Sequence, residues 1–231
     1  MQEHGLVARA TWMAKDLAIV LNSGSINSAV TNAMAAQRHR LVLLHAEFGQ
    51  GGARARAAYD QQVGHFKPYR EHSLPMPFMD LVRDPKNVLA VASDPRAQVA
   101  NLGPQMLDLM PLVAAAVRYA AFYKAAAVYF GFRVGGSGDE LAAATEYGQI
   151  WNEMIQMPCG VKDLEVITPL LELEPWQVVD VGFQVNAPLD KTWSCLEEGS
   201  EPCWACPGCR AREKAFQQAG KVDPLRTVRK G

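Results

Sequence analysis

The chain has 231 residues, a hydrophobic fraction of 49% and a formal net charge of −1, enough apolar sequence for one ordinary domain with a real core and perhaps a small appendage. No global field favours nucleic acid or an anionic membrane, and the basic "RTVRKG" at the end reads as a short solvated tail. The start, "MQEHGLVARATWMAKD", lacks the pattern of a signal peptide, and the apolar-rich stretch 106–132 is interrupted by Asp108, Arg118 and Lys124, so no membrane span is expected and the protein is expected to be cytoplasmic.

In chain order, residues 17–21, "LAIVL", form a short continuous apolar run, as in a strand buried on both faces. A helix follows over 28–38, with Ser28 near its start. "LVLLHAEF", 41–48, is a second strand of the buried type, and the Ala-rich 51–66 is helical. A third strand lies within 69–76, and 83–104, with prolines and little periodicity, reads as a long loop or flap. A long helix spans 105–126, a fourth strand 127–132, a helix 139–157, a fifth strand 164–170 and a helix 174–183. Strands alternating with helices predict an α/β fold: a doubly wound, mostly parallel five-stranded sheet covered on both faces. The expected division is a nucleotide-binding domain over 1–190 and a metal-binding C-terminal segment over 191–231 packed on it.

In such a sheet, ligands bind beyond the carboxyl ends of the strands, near the switch in strand order. "LNSGSINSAV", 21–30, stands at the end of the first strand. Its Ser23, Gly24, Ser25 and Ser28 offer amides and hydroxyls at a helix N-terminus, which attracts anions. A Ser/Gly turn before a helix is also the ordinary form of a cap. His45 on the second strand is a candidate base facing the site or a hydrogen-bonded structural residue. His65 and His72 lack a metal-pairing pattern, and Arg54 with Arg56 reads as a solvated helix face or a phosphate contact.

Four of the five cysteines, Cys195, Cys203, Cys206 and Cys209, form C-x7-C-x2-C-x2-C. Thiolates at this spacing converge on one ion, and four of them close a tetrahedral structural site with no open position. Zinc is expected; an iron–sulfur cluster is the rival. Cys159 stands apart and reads as an ordinary thiol.

The loop and the cysteine knot together resemble the 7-cyano-7-deazaguanine synthase family of the PP-loop ATP pyrophosphatase superfamily. The resemblance is carried by "TWSC" at 192–195, the cysteine spacing, Arg210, Arg212, "AF" at 215–216, Gly220 and "DP" at 223–224. "ITPLLEL" at 167–173, "FGQ" at 48–50, and Glu146, Tyr147 and Asn152 extend it loosely over roughly 16–225. The resemblance implies structural zinc, Mg·ATP, and a homodimer or a pairing with a paralogue. It also implies a reaction: ATP adenylates 7-carboxy-7-deazaguanine with release of pyrophosphate, ammonia displaces AMP to give the amide, and a second activation with loss of water gives the nitrile. Ser23, Gly24, Ser25 and Ser28 would then hold phosphates, Asn27 would orient them, and the backbone around 132–139 would shape the acceptor pocket.

The chain departs from that pattern. The family's loop is of the SGGxDS kind; here it reads Ser23-Gly24-Ser25-Ile26-Asn27-Ser28, so Ser25 brings a Cβ where backbone approaches phosphate and Asn27 lacks the charge of Asp. Pro175 stands at or beside the position of a family lysine, "VANLGPQ" replaces an arginine-containing loop, and "RVGGSGDELAAA" replaces an acidic, aromatic one. Asp139 and Glu140 there are expected to begin a helix. Two functions follow as expectations: an adenylating ligase on the same or a changed acid, or a catalytically impaired nucleotide-sensing or scaffold homologue.

Overall fold

The computed structural model describes residues 16–48, 52–83, 102–134, 138–156, 163–197 and 199–227, with the backbone alone at 102–106 and 139–140. Strands β1 (Leu17–Leu21), β2 (Arg40–Glu47), β3 (Arg70–Pro75), β4 (Ala127–Phe130) and β5 (Glu165–Ile167) form one sheet in the order β3-β2-β1-β4-β5. Every pairing is parallel, with Leu21 opposite Leu44 on one side and Phe130 on the other. The strand order reverses beside β1, so the switch lies between the loops that leave β1 and β4.

The apolar run of β1 reflects burial from both sides. Ile19 and Leu21 join a core with Val113, Ala116, Phe130, Trp151 and Ile155, whereas Ala18 and Val20 face a second core around Tyr59, Leu43 and Tyr129. Alternate residues thus pack on opposite helical layers, as a strand's period of two requires. Burying a side chain such as Ile19 contributes about 1.5–3 kcal/mol. A third cluster, built on Val30, Leu170, Val178, Val179 and Phe216, fastens the C-terminal segment to the domain.

The helices are α1 (Ile26–Arg38), α2 (Gly52–Phe66), α3 (Pro77–Arg83), α4 (Leu102–Tyr123), α5 (Gly138–Gln156), α6 (Pro175–Gln184), α7 (Pro207–Gln218) and the short α8 (Pro224–Thr227), with a 3-10 turn at Leu189–Lys191. Four elements differ from the sequence reading by more than one residue at a boundary. Helix α1 starts before Ser28, because Ser25 is the N-cap and accepts from the Ser28 amide. Helix α4 begins at Leu102, inside the segment read as a loop, and ends at Tyr123, where Lys124 takes a left-handed φ of 51°. Strand β4 stops at Phe130, since the Gly131 carbonyl turns to Asn27 rather than to a neighbouring strand. Strand β5 is only three residues long, and the "TPLLE" that follows is turn. Helix α3 was not expected from the pattern. Residues 1–15, 49–51, 84–101, 135–137, 157–162 with Cys159, 198 and 228–231 lie outside the described residues.

Candidate functional site

A cavity of about 880 Å³ opens at the carboxyl ends of β1, β2 and β4. Its wall carries Asn22, Ser23, Ser25, Asn27 and Ser28 from the first loop, His45 and Glu47 from β2, Arg56 from α2, Gly131, Phe132 and Arg133 from the loop after β4, and Asp80 and Asp108 from α3 and α4. Four of the five loop residues singled out in the sequence line it; Gly24 lies just behind.

The chain builds this loop from short-range hydrogen bonds. The Ser23 amide donates to Ser28 Oγ at 3.0 Å, and the Ser28 amide to Ser25 Oγ at 3.3 Å. The hydroxyls of Ser23, Ser25 and Ser28 lie 3.1–3.3 Å from one another and form a closed triangle. Gly24 has φ +77°, and a Cβ there would stand 2.4 Å from the Ala55 carbonyl of α2, so no other residue fits. Its amide is held by Asn22 Oδ1 at 2.7 Å.

Asn27 does not hang free in the cavity. Its Nδ2 donates to the Gly131 carbonyl at 3.1 Å, which ties α1 to the end of β4 across the switch. Gly131 allows this close approach, since a Cβ would lie only 3.0 Å from Asn27 main-chain and side-chain atoms. The loop 22–28 contains no carboxylate, so by itself it does not suit a divalent ion, which wants charged oxygens.

Behind the loop runs a buried polar chain that the sequence did not reveal. Asn22 Nδ2 donates to Gln62 Oε1 at 3.0 Å, and Gln62 Nε2 donates to the Lys191 carbonyl at 2.9 Å. Gln62 is fully buried, though in the sequence it is one more polar residue of an amphipathic helix. His45 is buried and stacks on Tyr59 with ring centroids 4.6 Å apart. Its Nδ1 lies 2.9 Å from the Asn22 carbonyl, which only accepts, so Nδ1 carries a proton and donates it to that bond. His45 is thus hydrogen-bonded, as the structural reading expects, and it also lines the cavity.

Charge in the wall is mostly paired. Arg56 donates to Glu47 at 2.6 Å and to Asp60 at 2.8 Å, and the Asp60 hydrogen bond, followed by the charges of Asp60 and Glu47, outweighs desolvation and raises its pKa. Arg54 instead stands over the Trp193 ring. His72 is bound to the Tyr123 hydroxyl at 2.7 Å on the outer edge of the sheet, and burial, followed by the charge of Lys191, lowers the pKa of His65.

The four-cysteine knot is assembled. The sulfurs of Cys195, Cys203, Cys206 and Cys209 all lie within 4.8 Å of one another, with Cys195–Cys206 at 3.9 Å and Cys203–Cys209 at 4.0 Å. A tetrahedral site with metal–sulfur bonds of about 2.3 Å has sulfur–sulfur edges of about 3.8 Å, so the group fits one metal ion. Backbone amides of Leu196, Cys203, Ala205, Cys206 and Cys209 point at the sulfurs at 3.3–3.4 Å. The amide of Leu196, then that of Cys209, pulls the Cys206 thiol down to about 6, toward the thiolate that a metal requires, while burial pushes Cys209 up to about 12. Gly208 makes the turn possible, since a Cβ there would meet the Ser194 carbonyl at 2.0 Å.

This knot touches the first loop. The Trp193 amide, two residues before Cys195, donates to the Gly24 carbonyl at 2.9 Å. Arg212 locks the segment from behind: it grips Asp223 at 2.6 and 2.8 Å and donates to Thr192 Oγ1 and the Leu189 carbonyl, all of it buried.

Fold and site together define a class: a parallel α/β protein with a cavity at its strand switch and a four-thiol cluster fit for a metal ion fixed beside it. The family model "Queuosine biosynthesis protein QueC" matches residues 17–220, and the chain belongs to that family. It is 26% identical over 222 residues to the 7-cyano-7-deazaguanine synthase of Koribacter versatilis (strain Ellin345), covering 90% of this chain and 92% of that one. To the protein of the same name from Chloroherpeton thalassium it is 29% identical over 225 residues, covering 90% and 95%. Among solved structures it is similar to NMN synthetase from Francisella tularensis at 16% identity and a TM-score of 0.45, over 94% of this chain and 82% of that one.

Proposed function

We propose that the protein is a divergent ATP-dependent adenylating ligase of the QueC family. It acts on a carboxylate, 7-carboxy-7-deazaguanine or a changed acid, with ammonia or an amine as nucleophile. The observation that carries this reading is the cavity at the strand switch, lined by the three serines at the start of α1. Phosphates of ATP lie against Ser23, Ser25, Ser28 and the Gly24 turn, and Asn27 holds the turn to β4. Carboxylate attack on the α-phosphorus releases pyrophosphate, and the amine then displaces AMP from the acyl carbon. The wall's contribution is to position the two reactants and keep water from the acyl-adenylate. The four cysteines hold a structural zinc that stiffens the segment touching Gly24. The chain works as a cytoplasmic homodimer, or beside a paralogue, through the exposed Leu107, Met110 and Phe122 of α4.

A second reading is a catalytically impaired homologue serving as a nucleotide sensor or scaffold. The bond from Asn27 to Gly131 favours it, because the position that suits a metal-facing carboxylate is used to join two elements. Incubation with Mg·ATP, the deazaguanine acid and ammonia separates the two: AMP and pyrophosphate support the ligase, and ADP alone or no product rejects it.

A further inference from the structure

The loop of this site lacks a carboxylate, yet among the described residues the cavity wall carries one arginine with no acidic partner. Arg56 is neutralised by Glu47 and Asp60. Arg133, on the loop that leaves β4, lines the cavity and makes no ion pair among the described residues. Its recorded hydrogen bond runs to the carbonyl of its own neighbour, Val134, at 3.2 Å, a contact easily exchanged for a ligand oxygen. The placement is fixed by the switch: Gly131, two residues earlier, is bound to Asn27, so Arg133 belongs to the same strand-end crevice as the serine triangle. Asp80 and Asp108, the other charged groups of the wall, sit on α3 and α4 and have interactions of their own.

We propose that Arg133 anchors the phosphates of a nucleoside triphosphate in this cavity, in place of a carboxylate-held divalent ion, so that nucleotide binds here without a metal. The inference rests on the nucleotide-binding part of the reading above and deepens it. A guanidinium presents forked donors to phosphate oxygens and keeps its charge at any working pH, so it offers the phosphates a permanent positive charge where a metal would be recruited with the ligand. Ser23, Ser25 and Ser28 then open their triangle and turn hydroxyls to the same phosphates.

The test is calorimetric titration of the full chain with ATP, pyrophosphate or adenosine, with and without magnesium, in chelator-free buffer so that any thiol-bound metal stays in place. ATP and pyrophosphate are expected to bind with affinities that change less than about threefold on adding magnesium. Arg133→Gln is expected to weaken both by about tenfold or more, Arg133→Lys to recover part of the loss, and adenosine binding to be indifferent to either change. Thermal melts of the two variants should match the unaltered protein, since the side-chain hydrogen bond of Arg133 runs only to the carbonyl of its own neighbour, Val134. Binding that requires magnesium, no ATP binding at all, or an Arg133→Gln variant with unchanged affinity would overturn the inference. AMP release that survives Arg133→Gln with its affinity intact overturns it and leaves the ligase standing. Arg133-dependent binding with no AMP formed does the reverse.

Discussion

Asn27 and Gly131 hold one another across the strand switch, amide to carbonyl at 3.1 Å, and a Cβ on Gly131 would press on Asn27 at 3.0 Å. This pair decides what a restored carboxylate would do. In Asn27→Asp the donor is gone and an anion faces a carbonyl oxygen. The variant is expected to lose about 1–3 kcal/mol of stability and to gain nothing in affinity for Mg·ATP. Calorimetry with both forms, beside a denaturant melt, checks it; an affinity gain of about tenfold would show that the position still serves a metal.

Zinc should be present at about one ion per chain, and the purified protein should be colourless, as four thiolates around a closed-shell ion imply. Visible absorption of the iron–sulfur kind would contradict this. Because site assembly is coupled to folding, Cys206→Ser is expected to cost soluble yield before it costs activity per folded molecule. Stripping the metal should also weaken nucleotide binding, through the Trp193 amide on the Gly24 carbonyl.

Arg212 and Asp223 are a buried pair, each nearly without solvent contact. Arg212→Ala leaves the Asp223 carboxylate buried without its cation, Thr192 Oγ1 loses the Arg212 donor, and the Leu189 carbonyl keeps only the Thr192 hydroxyl. The expected loss is about 3–5 kcal/mol, read from urea midpoints. A loss near zero would mean that the C-terminal segment is held by its apolar cluster alone.

Much of this could be read in the residues. The five strands, their parallel sense and the metal knot follow from signals that are local or strongly spaced: unbroken apolar runs, alternation with helices, and C-x2-C repeats. The serine loop was legible for the same reason, since a turn and a cap are written within a few residues. What escaped was long-range. Gln62 is separated from Asn22 by 40 residues and from Lys191 by 129, and nothing in an amphipathic pattern marks one glutamine as fully buried. Asn27 looked like a weakened metal ligand because its partner, Gly131, is 104 residues away. Arg133 passed as part of a replaced loop, because its importance comes from which other cations are already paired. Helix α3 is too short to show a period.

Leu107, Met110 and Phe122 leave an apolar stripe of α4 exposed. Light scattering at micromolar concentration is expected to give a dimer mass. Phe122→Glu should shift it toward the monomer, while a monomer in the unaltered protein would contradict the dimer outright.

The account stands or falls on the fate of ATP. The decisive measurement is mass-spectrometric analysis of nucleotide products after incubating the metal-loaded chain with Mg·ATP, 7-carboxy-7-deazaguanine and ammonia, with single omissions as controls. An adenylating ligase predicts AMP and pyrophosphate in equal amounts, dependent on the acid, and a product in which the carboxylate has become an amide or nitrile. ADP and phosphate, or ATP recovered intact with every acid offered, would contradict the ligase and leave the nucleotide-binding homologue in its place.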